Sequence, residues 1–265
     1  MTLHCEVART QQQLDDALRV RWTVFGEELG LVAGPRPVAP REVSPFDTLE
    51  TTAHVLVYAD GRPVATARLL LPNREVAETS GGRLGIDLET KYDVSPLVTP
   101  ELRLAETTRF CILKDWRGSE AVMHLVAGLY QESVRHGVTH WVASANMETD
   151  SLEDARIAYR VAAHLGLVSD RWQVRSRAQA LPPAVPTAPL YVPAARERAR
   201  GGELHGLRLP RTLSLFARKI GARFIGAPLY DSHFRRYALP LVAPLDSVPA
   251  EVRVPPPPAA PRRAA

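Results

Sequence analysis

Glu106-Thr107-Thr108-Arg109-Phe110-Cys111-Ile112-Leu113 is the stretch on which the reading of this 265-residue chain turns. An acid and a guanidinium stand three residues apart at the head of an apolar run. That run, over 108–113, has the length of a short buried strand, and Trp116-Arg117-Gly118-Ser119 turns it into a helix from about Glu120 to His136. Side chains alternate along a strand, so Glu106 and Arg109 face opposite sides if both lie within a regular one. If the strand begins later, or bulges, both line one cavity. An acid and a base at the mouth of a strand–loop–helix unit suit group transfer. They equally suit a structural ion pair, and spacing alone leaves both open.

Upstream, Leu14, Leu18, Arg21, Phe25 and Leu29 recur on one face of a helix expected over Gln11 to Gly30. A charge in an apolar stripe is costly unless paired, so Arg21 either has a carboxylate or acidic ligand as partner or snorkels from the stripe's edge. Residues 31–46, rich in proline, read as a loop. His54–Tyr58 and Val64–Leu71 flank Asp60-Gly61, a strong hairpin signal that puts Arg68 on a rigid strand. Residues 72–100 read as irregular and polar, with Gly81-Gly82 as a flexible centre.

Downstream, Thr139 to Ala145 reads as a strand and Ser151 to Leu165 as a helix opened by a capping pair, Ser151 and Asp154. Leu213 to Ile220 is expected to be helical, with Ala222–Ile225 and Tyr237–Val242 as a closing strand pair. The order predicts an α/β (α+β) fold: one mixed, mostly antiparallel sheet flanked by helices. A single domain is expected over 1–248, with a Pro/Arg-rich insertion at about 171–208 and a disordered Pro-rich tail at 249–265.

Two cysteines are too few for a disulfide framework, and no Cys/His spacing resembles a metal site. Cys111, inside an apolar run, reads as core rather than nucleophile. The start, Met1 to Thr10, lacks the apolar stretch of a signal peptide, and no membrane span is visible, so a cytoplasmic protein is expected. Residues 1–169 hold 17 Lys/Arg against 23 Asp/Glu, whereas 170–223 hold 11 against 3, a net of +8. That basic segment is suited to an acidic protein or an anionic membrane surface. Nucleic acid is disfavoured, because interleaved aromatics and groove-reading motifs are missing.

Arg21-Trp22-Thr23-Val24-Phe25, Phe46-Asp47, Arg68-Leu69-Leu70 and Glu106-Thr107-Thr108-Arg109-Phe110 together resemble the acyl-carrier-protein-dependent branch of the GNAT N-acyltransferase superfamily. That branch includes N-acyl amino acid synthases, ornithine-lipid N-acyltransferases and acyl-homoserine-lactone synthases. Gly221-Ala222-Arg223 with Gly226-Ala227-Pro228-Leu229-Tyr230-Asp231 and Phe234 is similar to the closing segment of the amino acid and ornithine acylating members. Two departures set the chain apart from lactone synthases: Leu31 stands where a tryptophan is common, and the acids before the hairpin thin to Glu42 and Asp47. Asp115-Trp116-Arg117-Gly118-Ser119-Glu120 also places acids at both ends of the loop that binds coenzyme A pyrophosphate in acetyl-CoA enzymes. A single phosphodiester on a carrier-bound pantetheine fits that loop better. Ala162 stands where a tyrosine is usual, so no general acid is assigned.

The resemblance implies a V-shaped split between the two central strands, into which an acyl thioester from acyl carrier protein or coenzyme A enters. No further cofactor and no metal are implied. Glu106 is the expected general base and Arg109 its catalytic companion. Arg109 and Arg68 either bind the carboxylate of an amino-acid-like acceptor or fix Glu106 and Asp47 in an ionic network. Arg21, Trp22, Phe25, Asp47, Arg68, Phe110 and Ser144 are the expected substrate-binding set. Ile112, Leu113, Lys114, Arg117, Gly118 and Ser119 are expected to hold the pantetheine arm and its acidic carrier, with backbone N–H near Ile112 and Leu113 facing the oxyanion. Lactone synthesis is the alternative reaction, and a non-catalytic module binding an acyl ligand or an anionic surface is the second alternative.

Overall fold

The structure, a computed structural model, describes residues 2–32, 38–177, 182 and 184–254. In chain order the elements are β1 (Leu3–Val7), α1 (Gln11–Arg21), β2 (Thr52–Ala59), β3 (Arg62–Leu70), α2 (Arg74–Ser80), β4 (Tyr92–Asp93), β5 (Leu104–Ile112), α3 (Ala121–Arg135), β6 (His140–Asn146) and α4 (Leu152–His164). There follow β7 (Arg175–Ser176), α5 (Pro193–Arg200), α6 (Arg211–Ile220), β8 (Arg223–Phe224), β9 (Leu229–Asp231) and β10 (Arg236–Pro244). The main sheet has eight strands in the order β1-β2-β3-β5-β6-β10-β8, with β9 also on β10. Its pairs are antiparallel except β5–β6, which is parallel. The mixed, mostly antiparallel sheet is the fold that the sequence predicts.

The β2–β3 hairpin turns through Asp60 (φ 46°) and Gly61 (φ 79°), the positive-φ pair that a two-residue turn between right-twisted strands requires. One face of the sheet is closed by α3, α4 and α6 around Leu125, Leu129, Trp141, Ile157, Leu213 and Leu241. The other face carries a second cluster built on Ile86, Leu88, Tyr92, Val94, Leu97 and Val142. A third patch, Val20, Val24 and Cys111, seats α1. Cys111 is buried, and that desolvation pushes its thiol up to about 12, in keeping with core.

Several expectations need correction. The helix expected to reach Gly30 is α-helical only to Arg21; Trp22–Glu28 form a wider π-helical turn. Gly26 lies on the Trp22 indole there, where a Cβ would come within 3.0 Å of ring atoms, so a larger residue would press on the ring. Residues 72–100 are not irregular: α2 ends at Gly81 in the left-handed conformation, and Ile86, Leu88, Tyr92, Val94 and Leu97 are buried. Their apolar residues cover a sheet face instead of repeating at helical spacing, which is why periodicity missed them. The strand expected over 108–113 begins at Leu104 and so includes Glu106. The segment at 171–208 is not a bare excursion. It contains α5, whose Ala195 and Ala199 are buried and whose Arg196 Nε donates to Asp154 at 2.7 Å. The chain is also ordered past 249, with Val252 buried and Arg253 Nε donating to the Val248 carbonyl at 2.8 Å. The remainder of the tail, 255–265, lies outside the described residues. No helix among the described residues is long and apolar enough to cross a membrane.

Candidate active site

β5 and β6 pair over three rungs, Leu104↔His140, Ala105↔Trp141 and Glu106↔Val142, and then part. β5 continues along β3 to Ile112 while β6 continues along β10 to Asn146, so the sheet opens in a V whose apex is Glu106. The question left open by the sequence, whether Glu106 and Arg109 share a cavity, is answered by a bulge. Thr108 pairs with Arg68 and Cys111 with Thr66, so Arg109 and Phe110 together oppose Ala67. Arg109 takes φ 53°, an unusual value for a non-glycine residue. Glu106 and Arg109 consequently line the same opening, with Phe25, Thr107, Phe110, Ser144 and Phe234.

Beneath it lies a buried ionic network. Arg21 Nη1 and Nη2 donate to Asp47 at 2.7 and 3.1 Å, and its Nε donates to Glu42. Arg68 donates to Asp47 Oδ1 at 2.7 Å, to Thr108 Oγ1 at 2.9 Å and to Asp87 Oδ2 at 3.4 Å. Arg109 Nε lies 3.2 Å from Glu42, and its Nη1 donates to Asp87 Oδ2 at 3.3 Å. Three guanidinium groups thus meet three carboxylates, Glu42, Asp47 and Asp87, in planar geometry that suits both partners. Arg109 also stacks over Phe234, 5.0 Å from the ring centroid. Burial opposes ionisation of Glu42, yet a hydrogen bond with His233 at 3.1 Å and the charges of Arg109 and Arg21 hold its carboxyl far below the usual range.

Glu106 is treated differently. It is 1% exposed, and its Oε2 accepts from the Leu88 N–H at 2.8 Å. Burial, and next the neighbouring charge of Asp87, push its carboxyl up to about 8, against the pull of Leu88, Lys91 and Arg68. Neither Arg68 nor Arg109 hydrogen-bonds Glu106; both reach its neighbourhood through Asp87. The network therefore holds Asp47 as expected, but it does not hold Glu106. Arg109 itself is committed to Glu42 and Asp87.

Two further cavities adjoin the V, itself about 120 Å³ in volume. A cleft of about 430 Å³ is walled by Ser44, Phe46, Asp87, Lys91, Tyr230 and His233, and meets the V at Asp87, Arg109 and Phe234. A small apolar cavity of about 30 Å³ lies under α3 and α6, bounded by Phe110, Val126, Leu129 and Phe216. Phe110 and Phe216 stand edge to face, 6.2 Å apart, between it and the V.

Of the expected substrate-binding residues, Phe25, Phe110 and Ser144 line the V. Ser144 is notable because its Oγ is buried with no hydrogen-bond partner among the described residues. Arg21, Asp47 and Arg68 line none of the three cavities and support the site from below. Trp22 also lines none, and its Nε1 donates to Glu27 at 3.3 Å. The expected pantetheine set stands apart at the far end of β5. The Leu113 N–H is already given to the Val64 carbonyl at 3.0 Å, so it cannot face an oxyanion. By antiparallel alternation the Ile112 amide faces away from β3, but five rungs of the ladder put it about 17 Å from Glu106. One carbonyl cannot use both. Arg117 is tied to Glu28 in an ion pair and donates to the Ile112 carbonyl at 3.1 Å, while Lys114 makes no ion pair among the described residues. Gly118 turns with φ 88°, and Ser119 Oγ accepts from the Ala121 N–H at 3.2 Å at the start of α3.

Asp87, Leu88, Lys91 and His233 were not anticipated from the sequence. Lys91 Nζ donates to Asp231 at 2.6 Å on the wall shared by both larger cavities. The one hint was Ile86-Asp87-Leu88, an acid set between two apolar residues in a stretch otherwise read as polar.

The sheet is thus mostly antiparallel and parts beside its parallel pair, with a buried acid at the apex. The family model for the N-acyl amino acid synthase FeeM matches residues 17–151, and the chain belongs to that family. It is 27% identical over 185 residues to an L-ornithine N(alpha)-acyltransferase of Rhizobium meliloti (strain 1021), covering 66% of this chain and 60% of the relative. It is 32% identical over 149 residues to an L-ornithine N(alpha)-acyltransferase of Rhodobacter capsulatus, covering 52% of this chain and 54% of the relative. The chain thus spans well under two thirds of the length of these curated relatives. Among solved structures it is similar to FeeM, an N-acyl amino acid synthase from uncultured soil microbes, at a TM-score of 0.49 and 10% identity, over 92% of this chain and 90% of that one.

Proposed function

We propose that this chain is an N-acyltransferase that moves a fatty acyl group from a thioester, on acyl carrier protein or coenzyme A, to the amine of an amino acid or amino-acid-like acceptor. The observation that carries the reading is the parting of β5 and β6 at Glu106, which gives an extended thioester a slot ending at a buried carboxyl. Glu106, as carboxylate, takes a proton from the acceptor's ammonium group. The freed amine lone pair attacks the thioester carbonyl, forming N–C as the carbonyl electrons pass to oxygen. Collapse breaks C–S, and the departing sulfur takes a second proton from the nitrogen, leaving amide and thiol. Ser144 is suited to donate to the oxyanion. It lies two residues beyond Val142, the partner of Glu106, on the same sheet face and about 6.6 Å further along β6. The apolar cavity beyond Phe110 and Phe216 marks the path for the acyl tail.

The ornithine-acylating relatives support an α-amino acid such as L-ornithine as acceptor. Lys114, with Arg117 and the basic stretch at 170–223, supports docking of an acidic carrier and peripheral contact with an anionic membrane. The decisive test is an acceptor screen with hexadecanoyl-carrier protein and hexadecanoyl-CoA, reading free thiol and product mass. Amine-dependent thiol release with an amide product is expected. A lactone from S-adenosylmethionine would establish the alternative reaction, and no amine-dependent release would leave a binding module.

A further inference from the structure

The 3₁₀ turn Asp87–Thr90 brings a second carboxylate to the apex of the V. Asp87 lines both the large cleft and the V, at the place where the two meet. Its Oδ2 takes the long contacts from Arg68 and Arg109 at 3.4 and 3.3 Å, while its Oδ1 accepts no hydrogen bond among the described residues. The next residue's N–H holds Glu106 Oε2, and Glu106 Oε1 is likewise without a hydrogen bond among them. The nearest other cation, Lys91, is occupied by Asp231. One peptide unit thus presents two uncommitted carboxylate oxygens, one from Asp87 and one from Glu106, to the same small space.

Resting on the acyl-transfer reading above, we propose that Asp87 and Glu106 together form the binding site for the acceptor's primary ammonium, with Asp87 holding the group and Glu106 receiving its proton. An ammonium is a compact point charge with three N–H donors, so it can bond Asp87 Oδ1 and Glu106 Oε1 and still aim its third hydrogen elsewhere. A guanidinium or a divalent ion fits less well, because Arg68 and Arg109 already flank Asp87 and no third uncommitted carboxylate stands there among the described residues. Binding a cation at this point also favours the ionised form of Glu106, so the acceptor prepares its own base. The amine approaches from the 430 Å³ cleft and the thioester from the V. The two reactants meet at Asp87.

The test uses the full chain with hexadecanoyl-carrier protein and L-ornithine. Asp87→Asn should raise the acceptor KM about tenfold or more, while leaving the thioester KM within about twofold. It should also move the rising limb of the kcat–pH profile to lower pH. The charges facing Glu106 are Asp87 and Lys91 of the turn and Arg68 of β3, and removing the negative one eases ionisation. A merely structural aspartate would not raise the acceptor KM while sparing the thioester KM. Because the variant could fold poorly, calorimetry on the unmodified protein supplies a second measurement. L-Ornithine should bind, and its α-hydroxy analogue, which lacks the reacting ammonium, should bind at least tenfold more weakly. Turnover in the unmodified protein with an unchanged acceptor KM in Asp87→Asn would overturn this assignment alone, as would equal binding of the analogue. Absence of amine-dependent thiol release in the unmodified protein would overturn the acyl-transfer reading and this assignment with it.

Discussion

The Leu88 N–H donates to Oε2 of Glu106 across 2.8 Å, and no arginine of the network shares that carboxyl. Glu106 is therefore the acid at this site that burial is free to push up to about 8. As a base it acts only when ionised. kcat/KM for L-ornithine should rise about tenfold per pH unit below about 8 and level above it, and the limb of kcat at saturating L-ornithine should lie at lower pH, because the bound ammonium favours the carboxylate. Glu106→Gln should lower kcat by about 10²- to 10⁴-fold and abolish the limb, with circular dichroism unchanged. Full activity in that variant would remove Glu106 from the chemistry. The same shift has the opposite consequence for folding. The folded state binds this proton more tightly than the unfolded chain, so its contribution to stability is present at acid pH and lost as pH rises through about 8.

Asp47 accepts from both Arg21 and Arg68, and all three side chains are at most 1% exposed. Asp47→Ala leaves two guanidinium charges uncompensated in the interior and should cost about 3–5 kcal/mol in urea denaturation. A loss below about 1 kcal/mol would mean that the network relaxes onto Glu42 and Asp87.

The unpartnered Ser144 hydroxyl makes stability and activity separable. Removing an unsatisfied buried hydroxyl should leave Ser144→Ala within about 1 kcal/mol of the parent, or slightly more stable. If the hydroxyl serves the oxyanion, kcat should fall about 10²- to 10³-fold in the same variant. A drop in stability with intact kcat would show that Ser144 is structural.

Phe216 stands between the V and the small apolar cavity under α6. Phe216→Ala should join the two spaces and shift kcat/KM toward longer acyl chains, read by competing decanoyl- and hexadecanoyl-carrier protein. An unchanged ratio would place the acyl tail elsewhere.

Much of this was legible from local pattern. Arg21 in an apolar stripe had either to find a partner or to snorkel from the stripe's edge, and it has Glu42 and Asp47. Asp60-Gly61 located the hairpin that carries Arg68, and alternation around Glu106 left a regular strand, a later-starting one or a bulged one. What could not be read was set by distant packing. Asp87 gains its role only when its segment folds onto the second sheet face and delivers the Leu88 amide to Glu106. Glu42 stood out in the sequence only as a remnant of a thinner acid cluster, although it binds Arg21, Arg109 and His233 at once. The amides of Ile112 and Leu113 misled because a run of residues does not reveal which edge each N–H faces, nor how far a straight strand carries it.

The doubled position at Arg109 and Phe110 gives β5 two reading frames, one serving the apex and one serving the α1 contact at Cys111. Deleting either residue would let β3 and β5 zip into an uninterrupted ladder, and backbone pairing would gain by it. In that ladder Glu106 would still oppose Leu70 and Cys111 would still oppose Thr66, so both flanks would keep their sheet faces, but one side chain opposite Ala67 would replace the two that now reach Glu42 and Asp87 from Arg109 and Phe216 from Phe110. The extra residue is therefore what lets a single rung serve the ionic cluster and the apolar wall together, and a chain shortened there should keep its sheet while losing one of the two.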